Sequence, residues 1–383
     1  MKIIRVLVTA AALVTAVPVQ ASAAAPEVSA KAAVLISADT GEVIYAHRSG
    51  EKLPMASTTK IMTVLLTLES ARRLGDLYEE FTVDSEAIHV EGSSMGLLEG
   101  DTVTKYALCC GMLLPSGNDA ANAAAVRIAG SIGDFTALMN RRAAELGLRD
   151  THFVTPSGLE GEGHGSSAYD MALLAREALR DPTFREICSS AEKETEFGAP
   201  PYRRWLKNTN RLLSMDEGVY GVKTGFTDEA GRCLVSACER DGEDLICVTL
   251  NDPDDWNDHL ALYSYGFDTA VTADITVPQE LALDIAGSRE EQITASPLSS
   301  RLTLTTLSAS QEDISFTVIA PPFIYAPVKQ GDSVGELAVE LCGKEIQRIP
   351  LYADSDADLY IPEEEPEEGL FSRIINVLRR IFA

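Results

Sequence analysis

Three short polar motifs in a fixed order constrain this chain more than any other feature: Ser57-Thr58-Thr59-Lys60, Ser116-Gly117-Asn118 and Lys223-Thr224-Gly225. Ser57 and Lys60 lie three residues apart on a segment that reads as helix after Pro54, so their side chains share one face. A serine hydroxyl is a poor nucleophile until a base takes its proton. Lysine serves as that base once burial or a nearby cation lowers its pKa, and Lys223 is the obvious second charge. Ser116-Gly117-Asn118 precedes an alanine-rich helix and offers a hydroxyl to shuttle a leaving-group proton and an amide to hold a substrate backbone. Lys223-Thr224-Gly225 sits at a strand end, where Lys and Thr offer donors to a carboxylate and glycine allows close approach to the backbone. In combination the motifs point to acyl transfer through a serine.

Each motif alone has an ordinary explanation. Ser-x-x-Lys arises by chance about once in a chain of this size. Ser190-Ala191-Glu192-Lys193 is such a second copy, with acidic neighbours that suit a solvated surface. Ser116 and Asn118 are favoured helix caps, and Lys223-Thr224-Gly225 suits a strand running into a bend. Only the set and its flanks carry the inference.

That set resembles the penicillin-binding protein and serine β-lactamase superfamily. The flanks Pro54-Met55-Ala56, Leu114-Pro115, Asp119 and Gly221-Val222 narrow the resemblance, as do Thr155-Pro156-Ser157-Gly158-Leu159 and Asn208-Thr209-Asn210. They are similar to the low-molecular-mass, serine-type D-alanyl-D-alanine carboxypeptidases of peptidase family S11. The resemblance implies an α/β transpeptidase-like fold, an antiparallel sheet with helices plus a helical subdomain. It also implies that Ser57 attacks the bond between the terminal D-alanines of a peptidoglycan stem peptide, with Lys60 as general base. Ser116 would relay the proton to the departing D-alanine. Asn118 would orient the acyl chain, and Lys223, Thr224 and Gly225 would line the carboxylate side. The Ser57 and Phe226 N–H groups would form the oxyanion hole. β-Lactams would acylate the same serine. Phe226 stands where family members often carry His, and Gly165 follows His164 where an aromatic is common.

Rival readings are a β-lactamase, a D,D-endopeptidase or transpeptidase, and a non-catalytic envelope module. A Glu-x-x-Leu-Asn segment suited to rapid deacylation is missing, which weighs against the first. An endopeptidase or transpeptidase shares the acyl-enzyme and differs only in what receives the acyl group. Intact Ser57, Lys60, Ser116 and Lys223 weigh against a decayed site.

The chain ends locate this chemistry. Lys2 and Arg5, an apolar run from Val6 to Val17 and Ala21-Ser22-Ala23 read as a secretory signal over residues 1–23. Residues 26–271 read as the mixed α/β catalytic domain. From about residue 273 to 360 the pattern turns to period-two alternation, as in Ile314-Ser315-Phe316-Thr317-Val318, which reads as a small all-β domain. Residues 361–369 form an acidic spacer. Residues 370–383 place Leu370, Phe371, Ile374, Ile375, Val377, Leu378, Ile381 and Phe382 on one helix side and Arg373, Arg379 and Arg380 on the other. This stretch is shorter than the roughly 20 apolar residues a bilayer span needs. It suits an amphipathic helix lying in a membrane interface, which puts the protein on the outer face of the cytoplasmic membrane.

The net charge of −26 argues against nucleic-acid binding. The seven cysteines include no Cys-x-x-Cys pair and read mostly as buried hydrophobes. The five histidines are scattered without metal-ligand spacing, so no metal or other cofactor is expected.

Overall fold

The structure is a computed structural model and describes residues 7–8, 24–307, 313–361, 375 and 378–380. The described residues form two compact units. One is built on Val14–Asp274 with Thr303–Ser310, the other on Ile275–Leu302 and Gln311–Ala383 with Met1–Leu13.

The first unit is organised on a five-stranded antiparallel sheet in the order Val43–His47, Ala32–Ser37, Glu243–Leu250, Gly231–Arg240, Val219–Thr227. Its inner strands carry apolar residues on both faces because both faces are covered. Along Ala32–Ser37, Ala33 and Leu35 pack with Leu262 and Tyr263 of the helix Asp255–Thr269. Ala32, Val34 and Ile36 point the other way, into the larger core shared with a helical subdomain. Cys233 and Cys247 likewise fill opposite faces of their strands. All seven cysteines are free, and only Cys342 is exposed.

The helical subdomain contains Lys60–Leu74, Lys105–Leu113, Asn118–Ala129, Ile132–Glu145, Ala168–Ala178 and Pro182–Cys188. Ile61, Met62, Val64, Leu65 and Leu68 are all buried, so Lys60–Leu74 runs through the middle of the subdomain. Asn118–Ala129 buries Ala120, Ala121, Ala123, Ala124 and Ala125, small side chains that leave room for neighbouring helices. Both helices end on a left-handed glycine, Gly75 and Gly130, which caps the last turn without a Cβ clash. Asp181 caps Pro182–Cys188 by accepting from the N–H groups of Thr183 and Phe184.

The second unit is all β. Leu281, Leu283 and Ile285 are buried while Ala282 and Asp284 are exposed, the alternation of a sheet covered on one face. Ser333–Leu341 and Lys344–Ala353 make a hairpin whose tip, Cys342-Gly343, has φ of 50° and 78°, as a tight two-residue turn requires. Leu7–Val8 pair as a two-residue strand with Phe316 and Thr317. The rest of the expected leader lies outside the described residues, as do residues 362–374 of the acidic spacer and tail. Of the expected amphipathic helix, Ile375 and 378–380 are described, and they are helical and exposed. Among the described residues no helix is long and apolar enough to cross a membrane. No group of three or more His, Cys, Asp or Glu among them is arranged to hold a metal ion.

Candidate active site

Ser57 lies in a 3-10 turn, Ala56–Thr59, that leads directly into the helix starting at Lys60. The turn is tied by its own hydroxyls: Thr58 Oγ1 donates to the Met55 carbonyl at 2.6 Å and Thr59 Oγ1 to that of Ala56 at 2.8 Å. Ala56 holds φ at 47°, a conformation a non-glycine residue keeps only where its surroundings impose it. The segment 154–164 packs against this turn and the helix that follows it. Thr63 Oγ1 donates to the Pro156 carbonyl, and His164 accepts the Val154 N–H at Nδ1, which leaves Nε2–H facing Thr59 Oγ1 at 3.0 Å. Burial lowers His164 to about 4, so the ring is neutral.

Lys60 is fully buried, and its Nζ lies 2.8 Å from Ser57 Oγ, 2.7 Å from Asn118 Oδ1 and 2.6 Å from the Ser157 carbonyl. Desolvation first, then the Lys223 charge, hold it well below the ordinary lysine range, with Asp119 opposing. A neutral amine has two N–H groups and one lone pair. Asn118 Oδ1 and the Ser157 carbonyl only accept, so they take both N–H groups. The lone pair is left facing the Ser57 hydroxyl, the contact a nucleophile needs with its base. Asn118 Nδ2 donates to the Glu91 carbonyl at 2.7 Å, which fixes the amide with its oxygen toward Lys60.

Lys223 is also buried, its Nζ donating to the Thr224 carbonyl at 2.8 Å. Burial lowers it to about 7. Because the Lys223 charge is among the causes that depress Lys60, Lys60 gives up its proton while Lys223 still carries one. The Thr224 hydroxyl meets that of Thr209 at 2.7 Å. Val219–Thr227 is the edge strand nearest this cleft, so on one side it has no partner strand, and side chains such as Asn210 take up some of its carbonyls. Gly225 serves more than substrate approach: a Cβ there would sit 3.1 Å from the Ser57 and Thr58 nitrogens. The bare backbone lets the edge strand lie against the nucleophile turn.

The residues converge on two neighbouring hollows. One, of about 500 Å³, is lined by Ser57, Ser116, Thr209, Thr224, Gly225 and Phe226. The same hollow reaches Trp256 and the Arg232–Asp255 pair, in which Nη2 lies 2.6 Å from Oδ1. The other, of about 240 Å³, is lined by Ser57, Ser93, Asn118, Gly158, Leu159 and Thr227. Phe226 borders both and is 63% exposed. Six of the eight sequence-derived residues line these hollows, while Lys60 is buried behind Ser57 and Asn118 and Lys223 is buried against Thr224. The second Ser-x-x-Lys lines neither: Lys193 Nζ bonds the Glu186 carboxylate and Ser190 Oγ the Glu186 carbonyl, away from any cleft residue.

The three motifs assign no role to the Ser157 carbonyl, Ser93, Thr209, Arg232, Asp255 or Trp256. Thr209 carried a signal in Asn208-Thr209-Asn210: Asn208 Nδ2 holds the Cys188 and Ser190 carbonyls and Asn210 Nδ2 that of Gly221, leaving Thr209 to face Thr224. Ser93 had none, being on a stretch without periodicity.

Gly158 supplies a structural test. Its φ is +88°, and a Cβ there would overlap the Ala56 carbonyl and lie 3.0 Å from the Ser57 nitrogen. Gly158→Ala is expected to destabilise the protein by about 2–5 kcal/mol, combining left-handed strain with overpacking. Chemical denaturation measures this; a change below about 0.5 kcal/mol, the level of a surface substitution, contradicts the tight turn.

Residues 19–254 match the family model described as D-alanyl-D-alanine carboxypeptidase, peptidase S11. Residues 287–358 match the C-terminal domain of penicillin-binding protein 5. The chain is 33% identical over 336 residues to D-alanyl-D-alanine carboxypeptidase DacF of Bacillus subtilis, covering 85% of each. It is 33% identical over 380 residues to DacC of Escherichia coli, covering 94% of this chain and 90% of that one. Among solved structures, penicillin-binding protein 5 of Haemophilus influenzae shares the fold, with a TM-score of 0.63 at 24% identity over 88% of this chain and 99% of that one. The Streptomyces K15 DD-transpeptidase gives 0.60 at 30% identity, covering 64% of this chain and 99% of its own.

Proposed function

The chain belongs to the peptidase S11 family of D-alanyl-D-alanine carboxypeptidases, and on that premise we propose how its cleft divides the work. It is a serine-type D-alanyl-D-alanine carboxypeptidase, and its substrate is the D-alanyl-D-alanine end of a peptidoglycan stem peptide. The observation that carries the mechanism is the buried Lys60, whose two N–H groups are committed to carbonyl oxygens and whose lone pair faces Ser57.

Ser57 Oγ attacks the carbonyl of the penultimate D-alanine as Lys60 takes its proton. The Ser57 and Phe226 N–H groups receive the developing oxyanion. Ser116 lines the larger hollow beside Thr224, a position suited to passing the proton to the departing amine. Lys223 and Thr224 bind the terminal carboxylate, so the larger hollow is the leaving-group side. Asn118 lies with Gly158 and Leu159 in the smaller one, the side for the acyl chain. Water then hydrolyses the ester and restores Ser57. β-Lactams enter the same cleft and acylate the same oxygen. The test is D-alanine release from diacetyl-Lys-D-Ala-D-Ala, with one equivalent of benzylpenicillin abolishing it. A protein that binds the peptide and releases no D-alanine overturns the carboxypeptidase reading.

The same reading takes the protein to the outer face of the cytoplasmic membrane, exported by its leader and held peripherally by its tail. Support comes from the tail sequence and from the exposure of Ile375 and Leu378 beside Arg379 and Arg380. Deleting residues 370–383 is expected to move the protein from the membrane pellet to the soluble fraction with D-alanine release intact. Retention in the pellet contradicts the anchor.

A further inference from the structure

Asp119 follows the Ser116-Gly117-Asn118 motif and is 2% exposed. It accepts five hydrogen bonds, four of them from one loop. Ser94 Oγ donates at 2.6 Å, and the Met95, Gly96 and Leu97 N–H groups donate at 2.9, 3.1 and 3.0 Å. The fifth comes from the N–H of Ala120 at 2.9 Å. Ser94 Oγ accepts in turn from the Gly96 N–H. In the mechanism above this carboxylate enters only through its charge, which opposes the lowering of the Lys60 pKa.

We infer that Asp119 is a positioning residue for the acyl-transfer step: it clamps the loop 91–97 so that the Glu91 carbonyl holds the Asn118 amide with its oxygen on Lys60. The loop returns to the motif at two further points, where the Asn118 N–H donates to the Ser93 carbonyl at 2.7 Å and Asn118 Nδ2 to that of Glu91. Gly92 makes the second contact possible, since a Cβ there would lie 2.7 Å from Asn118 Nδ2. Gly117 does the same for the clamp, where a Cβ would lie 2.8 Å from the Met95 nitrogen.

The consequence for chemistry lies in the two ends of the Asn118 amide. With Oδ1 toward Lys60, the lysine donates an N–H to it and keeps its lone pair for Ser57. Were the amide turned, its NH2 would face Lys60 and claim that lone pair. The Glu91 carbonyl is what distinguishes the two orientations, and it is only as fixed as the loop that carries it. An asparagine at 119 would turn an NH2 group toward backbone N–H donors and release the loop.

This inference rests on the carboxypeptidase reading, whose own control is D-alanine release by the unaltered enzyme. The experiment compares Asp119→Asn and Ser94→Ala with it, reading kcat, KM, thermal unfolding and amide hydrogen exchange at Met95, Gly96 and Leu97. Asp119→Asn is expected to exchange faster at these amides and to lose kcat at least about tenfold, with KM within about threefold, the pattern of a lost transition-state interaction. Ser94→Ala keeps the carboxylate and three of the loop donors, so it is expected to unfold at the wild-type temperature with a smaller loss in kcat. If Asp119→Asn fails to fold, Ser94→Ala carries the test: faster exchange in the loop with a loss in kcat of at least about twofold supports the clamp, and wild-type exchange or wild-type kcat overturns it. Unchanged exchange in the loop overturns the clamp. A loosened loop with wild-type kcat overturns its role in the reaction.

Discussion

Ser57→Ala is expected to lower D-alanine release by about 10⁴- to 10⁶-fold, the range seen when a serine hydrolase loses its nucleophile. The substitution removes one oxygen whose partner is Lys60 Nζ, and Lys60 keeps Asn118 Oδ1 and the Ser157 carbonyl. Folding is therefore retained, and thermal unfolding should stay close to wild type. Lys223, Thr224 and Thr209 are untouched, so the variant should still bind a D-alanyl-D-alanine peptide. Residual turnover within about tenfold of wild type would sink the covalent mechanism. A coupled assay for free D-alanine, with binding followed by calorimetry, separates the two effects.

Lys60→Met is expected to cost at least about 10³-fold in kcat and in the rate of penicillin acylation. Methionine fills a similar volume and supplies no lone pair to Ser57. Because the two residues act as a unit, the double variant with Ser57→Ala should be no slower than Ser57→Ala alone. The pH dependence adds a second reading. Lys60 must be neutral to act, so kcat/KM in the wild type rises as pH rises through the depressed pKa of Lys60. Lys223 must be charged to hold a carboxylate, and in the free enzyme it loses that charge as pH rises through about 7. The profile of kcat/KM is thus a bell, with Lys60 on its acid side and Lys223 on its alkaline side. In Lys60→Met the acid limb disappears from whatever activity remains and the alkaline limb stays. An acid limb unchanged in that variant assigns it to another group and removes Lys60 as the base.

Much of the site was legible because its chemistry is written locally. Ser57 and Lys60 need one turn of helix between them, and the helix that places them is marked by Ile61, Met62, Val64, Leu65 and Leu68. The run Ala33-Val34-Leu35-Ile36 also reads from the sequence as one arm of a hairpin, and burial on both faces explains why it is plainly apolar. What stayed hidden depends on packing between distant segments. The orientation of Asn118 is decided by a carbonyl 27 residues away, and a lone pair on Lys60 by one 97 residues away. No pattern in the chain announces a backbone oxygen. The depth of the Lys60 pKa shift was hidden for the same reason, because desolvation comes from the whole core around it. Lys105–Leu113 escaped notice because it is buried on nearly every side, so Cys109, Cys110 and Gly111 leave no amphipathic period to read. Arg232, Asp255 and Trp256 come from a strand and a helix that meet only in the folded unit.

The proposed reaction passes through a covalent bond to one oxygen, Ser57 Oγ. Its most direct test is intact-protein mass spectrometry after brief exposure to benzylpenicillin, followed by peptide mapping. It predicts one penicilloyl adduct per chain, on the peptide containing Ser57, and none on the Ser57→Ala protein. An adduct on any other residue, or one that persists in Ser57→Ala, contradicts it.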